Sequence, residues 1–256
     1  DVCSSDLRNP QVQEYAMGVI RRLVEEYGVG YIKMDYNIDC GVGTDRDADS
    51  AGAGLLEHNR AYLAWLDRVF ETYPDLIIEN CSSGGMRMEY SMLSRQSIQS
   101  VTDQTDYIKM AAIAANCATA CAPEQAAIWS YPLIQGTEEE AVFNMVNAML
   151  LRIHQSGYLG QIGEGRMRRV TDGIRCYKEI REDIKEGIPF WPTGLASFSD
   201  EYLSYGMQCQ DRCYLAVWRT QGEGEKEFCI PLHKKGCQIK DVRCMYPVDM
   251  KTDHKY

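Results

Sequence analysis

No apolar run in this sequence approaches the roughly 18 residues that a membrane-spanning helix needs, and no charged-then-apolar leader opens it. The expectation is a soluble, cytoplasmic protein without an export signal. Positive charge is also in short supply: 27 Lys and Arg stand against 37 Asp and Glu, a formal net charge of −10. Nucleic acid and anionic membrane would be repelled on average, so neither is an expected partner, and a neutral or small substrate fits better. Histidine is scarce, with four residues (His58, His154, His233 and His254) scattered along the chain, which gives a His-based triad or metal site little support. Repeats and low-complexity segments are missing as well. Cysteine is not: there are eleven, yet no Cys-x-x-Cys pair occurs, and Cys117, Cys121, Cys176 and Cys229 sit in apolar surroundings. Buried free thiols are expected rather than a zinc site.

Hydrophobic residues make up 45% and charged residues 25% of the 256, enough for one large domain or two smaller ones. The first seven residues, Asp-Val-Cys-Ser-Ser-Asp-Leu, fit nothing that follows and read like the translation of a sequencing-library adapter. Residues 1–7 are therefore expected to be non-native. From Asn9 the texture is regular. Asn9 caps a helix with Pro10 at its first position, and Tyr15, Val19, Ile20 and Leu23 form its apolar stripe. Val29 to Asn37 reads as a buried strand ending in charge, followed by a Gly-rich loop and a helix from about Gly54 to Thr72. The alternation continues with strands at Leu76–Cys81, Ile98–Asp103, Ala126–Pro132 and a short fifth at Gly157–Gly160. Helices are expected at Met88–Arg95, Met110–Ala122, Glu138–Gln155 and Thr171–Glu186. Parallel strands alternating with helices mean an α/β barrel or a doubly wound sheet. Past Pro189 short β-like runs (Tyr202–Met207, Cys213–Arg219, Phe228–Leu232, Ile239–Cys244) suggest an antiparallel β domain.

The chemistry gathers at three strand ends: Lys33/Asp35/Asn37, Glu79/Cys81/Gly84 and Asp103/Asp106. In (β/α) barrels that end carries the catalytic groups. Two carboxylates there can face one sugar, one attacking the anomeric carbon and the other protonating the leaving oxygen, provided they lie about 5–5.5 Å apart. Asp106 suits the cap of the helix that follows. Glu79 points to the same side of its strand as Cys81 and suits holding Lys33 or Arg87.

These motifs, taken together, resemble glycoside hydrolase family 36, the α-galactosidases of clan D. Lys33-Met34-Asp35-Tyr36-Asn37 looks like its nucleophile motif, Cys81-Ser82-Ser83-Gly84-Gly85-Met86-Arg87 like its Cys-rich strand end, and Thr102-Asp103-Gln104-Thr105-Asp106 like its acid/base motif. The resemblance implies a partial (β/α)8 TIM-type barrel over residues 8–188 and a truncated antiparallel β domain over 189–256. It implies retaining removal of terminal α-galactosyl residues from an α-galactoside oligosaccharide or small glycoside, with Asp35 as nucleophile and Asp103 as acid/base. Lys33, Asn37, Cys81 and Gly84 would bind the sugar, and neither metal nor organic cofactor is implied. Met34 stands where the family commonly has tryptophan, and no arginine follows Asn37. Trp129 lies in a segment the family fills otherwise, so no binding role passes to it.

Three functions follow: hydrolysis of α-galactosides; galactosyl transfer of the raffinose-synthase type; or a non-catalytic sugar-binding remnant or divalent-metal site built from Asp35, Asp39, Asp103 and Asp106. Only about five parallel strands precede the β region, so the chain is expected to be a fragment that is inactive alone.

Overall fold

The computed structural model describes residues 6–37, 41–224, 227–232 and 239–249. Compactness divides the chain into two units, Asp1–Ser100 and Val101–Tyr256.

The first unit opens with helix α1 (Pro10–Arg21), whose N-cap Asn9 accepts from the Gln11 amide and which continues into a π-helical turn at Arg22–Glu26. Helix α2 (Ala51–Thr72) starts at Ser50, whose side chain accepts from Ala53 N–H. Between and after them run three parallel strands, β1 (Tyr31–Asp35), β2 (Ile77–Cys81) and β3 (Ile98–Ser100), with the short helix α3 (Tyr90–Leu93) between the last two. Ile32, Met34 and Ile78 pack on Met17, Ile20, Trp65, Leu66 and Val69 of α1 and α2. That cluster takes the even-numbered side of β1.

In the second unit, β4 (Ala126–Ser130) pairs in parallel with β5 (Arg152–Gln155). Helices α4 (Tyr107–Cys117), α5 (Glu138–Met149) and α6 (Glu164–Glu186) alternate with them. The antiparallel sheet β6 (Ile188–Phe190), β7 (Tyr202–Gln208) and β8 (Cys213–Arg219) follows. Its connecting loops are tied to α4, with Trp191 Nε1 donating to the Ala115 carbonyl (2.6 Å) and Asn116 bracketing the Ala196 backbone. A Cβ on Gly206 would lie 2.2 Å from the Phe190 ring, so this pairing demands glycine there.

The parallel strands are ordered β1-β2-β3-β4-β5. That is the order of a (β/α) barrel; a doubly wound sheet reverses direction at a switch point.

Several expectations give way. The fifth strand is Arg152–Gln155, and Leu159–Gln161 is a 3-10 turn. The helix expected to run to Gln155 stops at Met149, because pairing with β4 outweighs the helical pattern of the last residues. Neither 228–232 nor 239–244 forms a strand among the described residues; Pro231 removes a ladder donor from the first. Strand β1 is not buried: Tyr31, Lys33 and Asp35 are exposed and Ile32 and Met34 half-buried. Among the described residues β1 stands first in the strand order, with β2 beside it. Cys229, expected among apolar neighbours, is exposed; Cys81, Cys117, Cys121 and Cys176 are buried, and all eight described cysteines are free.

Candidate active site

Register assembles the first cluster. Lys33 lies opposite Glu79 and Asp35 opposite Cys81, while Glu79 pairs with Ile98. In parallel strands registered neighbours share a face, so Lys33, Asp35, Glu79, Cys81 and Ser100 all project from the side away from α1 and α2. Lys33 Nζ sits 3.3 Å from Glu79 Oε1 and 3.5 Å from Ser100 Oγ. Glu79, only 1% exposed, also accepts from the Tyr31 hydroxyl. Cys81, likewise 1% exposed, hydrogen-bonds with Asp35 and Ser100, and burial pushes its thiol above the ordinary range. A protonated thiol next to a carboxylate donates to it.

The other side of the same strands, apolar along Ile32, Met34 and Ile78, turns polar at Asn80 and Gln99 and is closed there. Asn80 Nδ2 donates to Gln99 Oε1 (2.6 Å) and to the Arg87 carbonyl (2.9 Å). Those bonds anchor the Gly-rich turn after β2. Gly84 takes φ +80°, a left-handed conformation that glycine adopts without strain, and its carbonyl accepts from Ser82 N–H (3.0 Å).

Asn37 Oδ1 accepts from Ser83 N–H (2.6 Å) and lies 3.3 Å from its hydroxyl, so the asparagine ties the two strand ends together. Arg87 stacks 3.7 Å above the Tyr36 ring and donates to the Tyr36 carbonyl, which Ser82 Oγ also meets. Tyr36 Oη lies 3.0 Å from His58 Nε2, and His58 Nδ1 accepts from Leu7 N–H (3.2 Å). In the neutral ring the proton therefore sits on Nε2 and is donated to Tyr36. Leu7 is 7% exposed. Asp6 is held down to about 2 by its hydrogen bond with Arg8, ahead of the opposing cost of burial.

Asp103 belongs to the second unit, is exposed, and follows a bridge residue at Thr102. Its loop is built from side-chain turns. Thr102 Oγ1 accepts from Gln104 N–H, Gln104 Oε1 from Asp106 N–H, and Asp106 Oδ1 from Ile108 and Lys109 N–H. Asp106 is the N-cap of α4, as its position suggested. Glu79 holds Lys33, one of its two expected partners. Asp39 lies outside the described residues. Among the described residues no three His, Cys, Asp or Glu side chains converge as a metal site would require.

Ser100, Tyr31 and His58 are the members that sequence reasoning missed. Ser100 joins only through the pairing of β2 with β3, and nothing local marks Tyr31 or His58.

Comparison with known proteins adds the following. The Melibiase family model matches residues 3–184. The bifunctional alpha-galactosidase/sucrose kinase AgaSK of Mediterraneibacter gnavus is 22% identical over 238 residues, 86% of this chain and 23% of the relative. Alpha-galactosidase 2 of Pediococcus pentosaceus is 30% identical over 110 residues, 42% of this chain and 15% of the relative. Among solved structures, the GH36 alpha-galactosidase AgaA of Geobacillus stearothermophilus superposes with a TM-score of 0.78 at 16% identity, over 90% of this chain and 33% of that one. Variants of it have been solved in complex with raffinose and with stachyose. These likenesses show the fold of the barrel portion. The chain spans less than a quarter of the length of those two curated relatives.

Proposed function

The chain belongs to the Melibiase family, and from that premise we propose that it carries the retaining α-galactosidase machinery, with Asp35 as nucleophile and Asp103 as acid/base. The observation that supports this most directly is the Lys33–Asp35–Glu79–Cys81–Ser100 face, which sets one exposed carboxylate beside a small buried thiol and on the same side of the strands as a cation. Asp35 attacks the anomeric carbon as the glycosidic C–O bond breaks, and Asp103 gives its proton to the departing oxygen. Water, deprotonated by Asp103, then attacks the same carbon and releases Asp35. Lys33 and Asn37 bind galactose hydroxyls, and Cys81 and Gly84 bound the pocket by their small size. Because Asn37 Oδ1 is committed to Ser83, its contact with the sugar comes from Nδ2. Raffinose-like α-galactosides are the proposed substrate class, in keeping with the ligands of the structural relatives.

The test is kinetic, in the 256-residue chain or in a longer chain that contains it. Asp35→Ala is expected to abolish turnover of every substrate. Asp103→Ala should retain turnover of aryl galactosides, whose leaving group needs little protonation, while losing about 100-fold or more on an oligosaccharide. Equal losses on both substrates for Asp103→Ala would refute its role.

A further inference from the structure

We propose that His58 is a positioning residue, which fixes Tyr36 and through the Tyr36 backbone sets how Asp35 and Asn37 face galactose, a role that rests on their acting as nucleophile and sugar ligand. All four residues belong to the first unit.

Helix α2 delivers the ring. His58 and Tyr62 stand four residues apart on α2, so they share the helix face that carries Trp65, Leu66 and Val69 into the cluster on β1. Tyr62 stacks on Trp65 and meets the Tyr36 ring edge-on at 5.5 Å and 71°. His58, one turn nearer the start of the helix, reaches the same ring at its hydroxyl, with Tyr36 Oη 3.0 Å from Nε2. With 13% of the His58 side chain exposed, that hydrogen bond is largely shielded from water.

The other ring nitrogen is already committed. Leu7 N–H donates to Nδ1 at 3.2 Å, which leaves the Nε2 proton for Tyr36. Asp6 Oδ1 lies 3.5 Å from the same Nδ1, but the Asp6 carboxylate is engaged by the Arg8 guanidinium.

Tyr36 is the link to the chemistry. Its side chain shares the even-numbered side of β1 with Met34, while Asp35 projects from the other side beside Cys81. Beyond His58 and Tyr62, the ring is gripped by Arg87, stacked 3.7 Å above it. The backbone is held as well: Tyr36 N–H donates to the Cys81 carbonyl (2.8 Å), and its own carbonyl accepts from Arg87 Nε (3.2 Å). Strand β1 ends at Asp35, so past that point the grip on Tyr36 takes over from the ladder. The two planar peptide units of Tyr36 are those that join it to Asp35 and Asn37, so a turn of its backbone redirects both neighbours. A misplacement of about 1 Å at a reacting group can cost about 100-fold in rate.

The experiment measures kcat/KM for an aryl α-galactoside, and galactose affinity by calorimetry, in the 256-residue chain or a longer chain that contains it. The variants are Tyr36→Phe, His58→Ala, His58→Gln and His58→Asn. Gln carries an amide N–H about where His carries Nε2, and Asn a carbonyl about where His carries Nδ1, so the first keeps the bond to Tyr36 and the second the bond to Leu7. Tyr36→Phe, which keeps the ring contacts, and His58→Ala should each lose about tenfold in kcat/KM and about threefold in galactose affinity. His58→Gln should regain most of both losses, and His58→Asn neither. Combining Tyr36→Phe with His58→Ala should cost no more than either alone, because both remove one bond. Unchanged kinetics and affinity in Tyr36→Phe and His58→Ala, a loss that His58→Asn regains as well as His58→Gln, or losses that multiply in the pair overturn the positioning role. Asp35→Ala separates that failure from failure of the catalytic reading. If wild type hydrolyses nothing, or Asp35→Ala still turns over, the catalytic reading falls and galactose affinity decides. Affinity lost in His58→Ala and regained in His58→Gln then upholds the positioning of Asn37; affinity unchanged, or no binding at all, overturns it.

Discussion

Glu79 shows how one buried side chain arranges the chemistry around it. It is almost wholly enclosed, yet takes the Tyr31 hydroxyl and the Lys33 ammonium, so its charge is compensated where burial alone would penalise it. Glu79→Gln keeps an acceptor for Tyr31 but removes the counter-charge for Lys33. A cost of about 1–3 kcal/mol in denaturant unfolding is expected, with a raised KM for galactosides because Lys33 loses its anchor. In a double-mutant cycle with Lys33→Met the two changes should be non-additive by at least about 0.5 kcal/mol. Additive costs would mean that the contact does not couple the two residues. The strand pattern revealed that Glu79 and Cys81 share a side. It did not reveal that Ser100 completes the cluster, because the two strands are joined only through tertiary pairing.

The loop between β4 and α5 is held by a buried ion pair, and pH should read that out. Burial raises the Glu140 carboxyl above its ordinary 4.5, against the opposing pull of the Leu133 amide and Arg166. The folded chain thus holds this proton more tightly than the unfolded chain, so the contribution is complete below pH 4.5 and is lost as pH climbs through the raised value. Glu140→Gln cannot ionise. Its melting temperature relative to wild type should therefore rise between about pH 4 and about pH 7, whatever constant offset the loss of the Arg166 partner adds. A difference that stays flat with pH would contradict the raised value. At this scale the sequence was legible where local chemistry decides. Asn9 and Pro10 begin α1, and Asp106 caps α4. It misled where a distant partner decides. Arg152–Gln155 carries no strong strand signal of its own, and becomes β5 because Ala127–Ser130 offers a parallel ladder.

Across the whole molecule the cysteines record what folding covers. Burial pushes the thiols of Cys117 and Cys121 up to about 12 and that of Cys176 to about 11, whereas Cys213, Cys229 and Cys244 are exposed. A thiol reagent at about pH 8 should modify the exposed three promptly and reach the buried three only as the chain opens. Mass spectrometry of timed quenches would resolve them; Cys117 reacting as fast as Cys213 would contradict the burial. The sequence by itself determined the succession of strands and helices, the carboxylates at strand ends and the motif register, because propensity, capping and strand alternation act over a few residues. Tertiary structure alone decided that β1 stands exposed, that Lys33 is bound to Glu79, and that His58 meets Tyr36. Those outcomes depend on which strands pair and which loops touch, and such contacts join residues tens of positions apart.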